Sequence, residues 1–328
     1  MPVVVYSLEN AIDTFFLRTG PSVSKKRCDD IVLQRYGGQV KPTNIQGSNS
    51  YTVIAGPKDS KIIQFREEDS LLDVEMLALA KSIHGDIVPA CSELGWIGDS
   101  KGPKLAIYEM DRLPGENYIL TRFSSTHDKR LATVHSLARF FAQSWQRGLF
   151  KDLNSNDVSA IRTECCSRFE YLTKNLPERF QPAVINAQTT LSALLNEHYP
   201  LVLTHSDLNE MNILVEADSG VITAIVDWAG ASILPFGFTL YALENALGSM
   251  DAEGWTWFDD VDDLRGAFWS VFLEQTGLSE PQTELIKLAG KAGILIRYGT
   301  TYDSGFSGMI GVRDPNHDEL RYLDALLF

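Results

Sequence analysis

The segment between residues 205 and 228 constrains the fold of this chain more than any other feature of its sequence. It opens with His-Ser-Asp-Leu-Asn-Glu-Met-Asn-Ile-Leu-Val at 205–215 and closes with Ile-Val-Asp-Trp at 225–228. The apolar runs 213–215 and 221–226 flank the turn residues Asp-Ser-Gly at 218–220, a pattern that predicts a β-hairpin. Polar side chains therefore lie at the open end of an apolar hairpin, a position that favours a binding or catalytic site.

The turn also predicts which polar residues meet. The midpoint between residues 212 and 227 falls within it, so an in-register hairpin places Asn212 opposite Asp227. An amide oxygen and a carboxylate then converge, and oxygen ligands of this kind suit Mg²⁺. We expect Asn212 and Asp227 to hold a magnesium ion whose other ligands are waters and substrate phosphates.

Asp207 stands on the loop that enters the same hairpin. Its carboxylate is placed to accept a proton from, or to orient, a hydroxyl that attacks a metal-bound phosphoryl group. His205 has two interpretations: it braces the loop by hydrogen bonding, which we favour, or it transfers a proton in catalysis.

The rest of the chain predicts two lobes, in line with 328 residues at about 150 residues per domain. β-Branched and aromatic runs predict antiparallel strands at 51–55, 61–66 and 105–108, followed by a break at 113–115. Ser70 is expected to cap the one helix of this first lobe. Helical periodicity then predicts helices at 131–145, 158–175, 186–197, 238–248, 261–275, 281–296 and 319–328. The run 297–314 is expected to be a surface loop, with a substrate lid as the alternative.

These motifs resemble the aminoglycoside phosphotransferase family, and in particular its fungal-type branch. The family's catalytic loop, H-G-D-x-x-x-x-N-I-L, stands here as residues 205–214, and its metal motif, an apolar strand ending in I-D-W, as residues 225–228. The likeness extends over most of the chain and includes segments 137–145, 234–237 and 264–269.

The resemblance implies an α+β fold of the two-lobed protein-kinase type. A small antiparallel-sheet N-lobe (1–112) would bind the nucleotide, and a larger, mostly helical C-lobe (113–328) would carry the catalytic loop and the substrate site. The implied activity is an ATP- and Mg²⁺-dependent kinase that phosphorylates a hydroxyl of a small molecule. In that scheme Asp207 is the catalytic base, while Asn212 and Asp227 hold Mg²⁺.

In the N-lobe the resemblance implies a turn over the nucleotide phosphates and a hinge that meets the adenine edge. The turn falls on Gly47, Ser48, Asn49 and Ser50, and the hinge on Glu109, Met110 and Asp111. Because the turn holds a single glycine, a plain hairpin turn is an equal alternative.

A basic residue on the third strand completes the implied nucleotide site. Side-chain alternation along the strand places it at Arg66, where resistance enzymes of the family have lysine. Glu75, on the following helix, is the expected ion-pair partner, with a solvated surface pair as the alternative. Thr239 stands where the wider family has an aspartate that braces the catalytic loop, and its hydroxyl cannot carry that charge.

The acceptor is expected between the lobes and against the helices after residue 237. Acidic residues cluster there: Asp251, Glu253, Asp259, Asp260, Asp262 and Asp263. Acidic pockets hold amino groups in family members that phosphorylate aminoglycosides, but aspartate is also favoured in the first turn of a helix, which we prefer. The nearby aromatic residues between 255 and 269 either build core or favour a flat acceptor.

Composition restricts the partners and the compartment. The chain has 29 Lys and Arg against 43 Asp and Glu, a net charge of −14 that argues against nucleic-acid binding. Its four cysteines form no CxxC pair, the longest apolar stretch is interrupted by charges and a proline, and no targeting segment stands out. We expect a cytoplasmic protein that binds no membrane, and its oligomeric state is open.

Two alternatives belong to other functional classes. One is a pseudokinase that keeps the cleft only to bind a ligand or partner, favoured by the sparse turn, Arg66 and Thr239. The other is an enzyme of secondary metabolism that uses the cleft for non-phosphoryl chemistry.

Overall fold

The computed structural model describes residues 7–19, 23–99, 102–149, 153–302, 309–312 and 320–328. The strands are β1 (Lys41–Pro42), β2 (Ser50–Ala55), β3 (Lys61–Glu67), β4 (Cys91–Gly98), β5 (Lys104–Asp111), β6 (Glu116–Asn117), β7 (Leu201–Thr204), β8 (Ile213–Val215), β9 (Ile222–Ile225), β10 (Ser232–Pro235), β11 (Gly248–Met250), β12 (Trp255–Trp257), β13 (Thr300–Tyr302) and β14 (Met309–Val312). The helices are α1 (Leu8–Thr19), α2 (Lys25–Tyr36), α3 (Val74–His84), α4 (Tyr118–Thr121), α5 (His127–Arg147), α6 (Ser155–Asn175), α7 (Gln181–Leu194), α8 (Tyr241–Ala246), α9 (Val261–Thr276), α10 (Glu280–Gly299) and α11 (Leu320–Leu327).

The first lobe is built on a five-stranded antiparallel sheet in the order β1-β2-β3-β5-β4. The outer face of the sheet carries Tyr51, Ile63 and Phe65, which are buried in a core of their own with residues of α1 and α2. Ser24 begins α2 by accepting a hydrogen bond from the N–H of Arg27. Both helices are additions to the fold expected from the sequence.

The inner face of the same sheet is polar where strands β2 and β3 pair. Ser50 lies opposite Arg66, and Thr52 lies opposite Gln64. The amide nitrogen of Gln64 donates to both hydroxyls at 3.2 Å. This alternation of apolar and polar side chains gives the sheet one face for packing and one face for a site.

Helix α3 begins later than expected. Asp73, and not Ser70, is its N-cap, because its carboxylate accepts the N–H groups of Glu75 and Met76 at 3.0 Å. Ser70 instead ends a short 3₁₀ turn, from which its hydroxyl donates to the carbonyl of Asn49.

The second lobe surrounds one large core. Helices α5 and α9 pack together, and the buried side of α10 contacts α7, α8 and α11. Gly293 allows α10 to approach the chain at Phe238, whose carbonyl oxygen would collide with any β-carbon at this position. The expectation of a loop at 297–314 is wrong for the described residues: α10 continues to Gly299, and β13 pairs with β14 in an antiparallel hairpin. Residues 303–308 and 313–314 lie outside the described residues.

The hairpin of β8 and β9 joins the short strand β6 in a three-stranded sheet. Its register differs from the expected one: Ile213 pairs with Ile225, so Asn212 lies opposite Val226 and not opposite Asp227. The turn brings Glu216 opposite Val221 and Val215 opposite Ile222, which is two residues out of the expected register. A β-bulge on β9 then moves the partner of Asn212 from Ile225 to Val226, one residue short of Asp227. Among the described residues, no helix is both long and apolar enough to cross a membrane.

Candidate active site

The second residue of the candidate catalytic loop, Ser206, is strained and is held by three neighbours. Ser206 has φ +61°, a left-handed conformation that favours glycine. Its hydroxyl bonds the hydroxyl of Ser232 at 2.7 Å and that of Thr204 at 3.1 Å, and its carbonyl accepts the phenol of Tyr241 at 2.8 Å. Tyr241 therefore braces the loop, whereas the hydroxyl of Thr239 makes no hydrogen bond in the described part of the chain.

Asp207 follows with one carboxylate oxygen fully engaged. Its Oδ1 accepts hydrogen bonds from Nη2 of Arg297 at 2.6 Å and from Nδ2 of Asn209 at 3.1 Å. Within the described residues no hydrogen bond reaches Oδ2 of Asp207, so that oxygen is available to an incoming hydroxyl.

Arg297 is the residue of this site that the sequence does not point to. It lies in the last turn of α10, and a basic residue in a last turn is ordinarily explained by the helix dipole. Its guanidinium also stacks near Tyr241 and Tyr298, at 5.9 and 5.5 Å from the ring centroids. Only the tertiary packing of α10 on the catalytic loop reveals the contact with Asp207.

Two asparagines shape the loop around the carboxylate. Asn212 donates its Nδ2 to the main-chain carbonyl of Asp207 at 2.9 Å, and its own carbonyl accepts the N–H of Val226. Asn209 accepts the N–H of Met211 at 2.8 Å while it donates to Asp207. The side-chain amides thus fix the loop between Asp207 and the hairpin, and the Oδ1 of Asn212 remains as an acceptor.

His205 connects the catalytic loop to the metal motif. It is buried, donates Nε2–H to the carbonyl of Val226 at 2.8 Å and lies 4.7 Å from the ring of Trp228. Burial lowers the pKa of His205, so the ring is neutral at pH 7, and its buried Nδ1 has no hydrogen-bond partner in the described part of the chain. This geometry fits a bracing role.

Asp227 and Arg66 face each other across the cleft. Asp227 has φ +62°, and its Oδ1 lies 3.8 Å from Nη1 of Arg66, whose side chain is only 5% exposed. Arg66 also donates to the carbonyl of Ser70 and to Oε1 of Gln64. The expected ion pair of Arg66 with Glu75 is wrong: Glu75 is exposed in the first turn of α3, and Asp227 takes its place.

The expected phosphate turn forms the end of the loop between β1 and β2. Gly47 and Ser48 are exposed, Asn49 is half-buried, and Ser50 is the buried first residue of β2. The side-chain amide of Gln46 closes the loop through hydrogen bonds to Thr43 and Thr52. Arg18 of α1 donates to the carbonyl of Ser48, so an N-terminal helix supports the turn.

The expected hinge residues are the last three of β5 and still belong to the sheet. Met110 pairs with Ile62 and Cys91, while Asp111 accepts a hydrogen bond from Lys61 at 2.8 Å. The carboxylate of Glu109 lies on the outer face of the sheet, where it accepts a hydrogen bond from Tyr36 and contacts Lys61. The crossing to the second lobe begins at Arg112.

Two members of the acidic cluster, Asp260 and Asp262, pair with basic side chains, and the other four are exposed to solvent. Arg265 pairs with Glu244 and Asp262 at 2.9 and 3.2 Å. Asp260 accepts from Arg130 and His127, and although burial acts to raise the pKa of Asp260, these bonds hold it below its ordinary value. The remaining four, Asp251, Glu253, Asp259 and Asp263, are exposed. The helix-start interpretation of the cluster therefore agrees with the geometry, since α9 begins at Val261.

The antiparallel sheet lobe and the helical lobe, with the loop at 205–212 in the helical lobe, define the class of kinase-like folds. The family model described as "Phosphotransferase enzyme family" (APH) matches residues 75–243, and the chain belongs to this family. No curated protein sequence matches the chain significantly.

Solved structures show the same fold at low sequence identity. A mutant of aminoglycoside 2'-phosphotransferase-IIIa in complex with GDP is 14% identical with a TM-score of 0.52, over 84% of this chain and 89% of that one. The apoenzyme of a macrolide 2'-phosphotransferase from Brachybacterium faecium is 15% identical with a TM-score of 0.51, over 83% and 90%. The kinase-like fold with its small sheet lobe is thereby established.

Proposed function

We propose that this protein transfers the γ-phosphoryl group of ATP to a hydroxyl of a small molecule, with Mg²⁺ as cofactor. The observation that carries the proposal is the state of Asp207. Arg297 and Asn209 hold its Oδ1, and its Oδ2 is left to accept a hydrogen bond from the acceptor hydroxyl. In this way the loop orients the nucleophile and receives its proton as the phosphoryl group is transferred.

The residues on either side of the hairpin fit a magnesium ion. Asp227 offers a carboxylate and Asn212 an amide oxygen, which is the sparse oxygen set that Mg²⁺ uses when waters and phosphates complete its shell. Among the described residues no group of three or more His, Cys, Asp or Glu could hold a metal by itself, so substrate phosphates are needed. When bound, the ion would neutralise charge on the transferred group.

The nucleotide is proposed to lie under the inner face of the sheet, in the cleft between an N-lobe ending at 112 and the C-lobe. Arg66 is placed to pair with phosphate, which a guanidinium grips in a bidentate manner. The loop from Gly47 to Ser50 would cover the phosphates, and the chain at Glu109, Met110 and Asp111 would border the base. Arg66 in place of lysine supports the fungal-type branch.

The proposed setting is the cytoplasm, where ATP is available and thiols stay reduced. The four cysteines are free, which fits that compartment. The proposed partner is a small-molecule acceptor.

A second candidate is a ligand-binding pseudokinase. The contact of Arg66 with Asp227 and that of Arg297 with Asp207 favour it, because each candidate catalytic carboxylate already has a cationic neighbour. Nucleotide would then bind without being turned over.

Thermal unfolding with ATP or GTP, each with and without Mg²⁺, tests the proposal, since a ligand of the native state raises Tm. We expect a Mg²⁺-dependent shift that Asp227→Ala loses. Asp207→Asn should keep the shift and lose phosphoryl transfer, while Glu253→Gln, an exposed control, should change neither. Full transfer by Asp207→Asn contradicts the mechanism, and a shift without any turnover by wild type supports the pseudokinase.

A further inference from the structure

An exposed apolar surface lies beside the catalytic loop. Leu120 is 65% exposed, Phe123 67% and Met211 44%. We call these three residues the apolar rim. Exposed large side chains are common singly, but these three stand on the loop or on a segment bonded to Glu210 of that loop, through the N–H of Ile119 and the guanidinium of Arg122.

Hydrogen bonds tie the apolar rim to the candidate base. Asn209 donates to the carboxylate of Asp207 and accepts the N–H of Met211, so Met211 is two hydrogen bonds from that carboxylate. The carbonyl of Met211 accepts the amide of Asn117. These two hydrogen bonds fix the main chain of Met211 on the catalytic loop.

The other two rim residues stand on α4 and on the chain just after it, and this segment bonds the same loop. The N–H of Ile119 donates to the carbonyl of Glu210 at 3.0 Å, which docks the helix that carries Leu120 onto the loop. The ring of Phe123 lies 4.8 Å below the guanidinium of Arg122 and packs edge-on against Phe258.

Three carboxylates near the apolar rim are paired with basic side chains. Glu210, the second acidic residue of the catalytic loop, pairs with the buried Arg122 at 3.0 Å. Asp207 itself pairs with Arg297, and Asp260, behind Phe258, pairs with Arg130 and His127. The carboxylates held by the chain at the apolar rim are therefore already paired, although Asp259, next to Phe258, is exposed, and an uncharged apolar body would cover exposed hydrocarbon.

We infer that the acceptor is an alcohol with an uncharged apolar or aromatic body, which rests on the apolar rim while its hydroxyl reaches Oδ2 of Asp207. This inference rests on the proposed function and names its substrate class. Leu120 and Phe123 would determine specificity by removing ligand hydrocarbon from water, without taking part in phosphoryl transfer.

The test uses 2-naphthaleneethanol, a neutral fluorescent alcohol, and kanamycin, a polycation with several hydroxyls. Binding of each to the full chain with Mg²⁺ and nucleotide is measured for wild type, for the double variant Leu120→Ser/Phe123→Ser and for Leu17→Ser. Leu17 is 82% exposed on α1 and serves as the matched control.

We expect 2-naphthaleneethanol to bind wild type and the Leu17→Ser control equally, and the double variant about tenfold more weakly. Kanamycin should bind none of them. Equal Kd values for wild type and the double variant, absence of naphthyl binding, or tighter binding of kanamycin would each overturn the inference. So would self-association of wild type that the double variant loses, because the apolar rim would then contact a second copy.

Different measurements would overturn the proposed function and the inference about the acceptor. Loss of that function shows as absent Mg²⁺-dependent nucleotide binding or absent phosphoryl transfer, whereas the inference is decided by acceptor binding alone. Circular dichroism of the double variant confirms its fold, which two exposed positions should not alter.

Discussion

The second residue of the candidate catalytic loop shows how a strained backbone is retained. Ser206 adopts a left-handed conformation without being glycine, at a cost on the order of 1 kcal/mol. Hydroxyl bonds to Ser232 and Thr204 offset that cost, and the phenol of Tyr241 holds the carbonyl. The position of Asp207, one residue later, depends on these contacts.

Tyr241→Phe should therefore affect turnover beyond its effect on stability. Loss of one buried hydrogen bond costs about 1 kcal/mol, and the released loop should lower kcat about tenfold with the KM for nucleotide unchanged. Tyr199→Phe is the control, since its phenol donates to the carbonyl of Phe236 at 2.7 Å, away from the loop. Equal kcat values for the two variants would exclude a role of Tyr241 in positioning.

Arg297 is the positioning residue of Asp207. Arg297→Met removes the charged hydrogen bond to Oδ1 of Asp207 and should lower kcat about tenfold to a hundredfold, because Asn209 alone then holds the carboxylate. Arg297→Lys keeps the charge and should recover part of the loss. Steady-state kinetics of both variants at saturating nucleotide provide the measurement, and unaltered kcat in Arg297→Met contradicts the assignment.

At the scale of elements, periodicity and turn residues predicted the hairpin, three of the five strands of the first-lobe sheet and most helices of the second lobe, whereas β1 and β4 were not predicted. The sequence could not predict the register at Asn212, because the residues that close the turn and the bulge in β9 set it together, and the apolar pattern specifies neither. Helices α1 and α2 were not predicted, and their buried apolar residues pack against the sheet, so tertiary packing supports them.

Two glycines in helices test the packing of those elements in opposite directions. Gly293→Ala should destabilise the fold by about 2–3 kcal/mol, because its β-carbon collides with the carbonyl of Phe238. Gly266→Ala, in the middle of α9 with nothing near its β-carbon, should stabilise by about 0.5–1 kcal/mol. Denaturant unfolding of both variants gives the two signs, and a neutral Gly293→Ala would contradict the close packing of α10.

The whole molecule has two cores, and α3 belongs to the larger one. His84, in the last turn of α3, stacks on Phe140 at 4.0 Å and bonds Gln143 and Ser144 of α5. The sequence predicted two lobes but not the contact between α3 and α5 through His84, because no sequence pattern identifies a single buried histidine.

Burial of His84 makes stability depend on pH. Its pKa is lowered to about 4 by burial, from 6.5 for a free side chain, so the unfolded state binds more protons between these values. The contribution of neutral His84 to the free energy of unfolding is fully present above pH 6.5. It decreases as pH falls towards 4, by on the order of 3 kcal/mol in total. Urea unfolding at pH 7 and 4.5 measures the decrease, which should be smaller in His84→Gln; an equal decrease in that variant contradicts the assignment.

The placement of α1 and α2 on the outer face of the sheet has a consequence for synthesis. These two helices precede in the chain the strands that bury their apolar faces, β2, β3 and β5, so the strands leave the ribosome only after the helices. Until then the nascent chain displays unprotected hydrocarbon, a surface that chaperones bind. Yield in a heterologous host should consequently respond to translation speed across the codons of residues 8–111 and to chaperone supply.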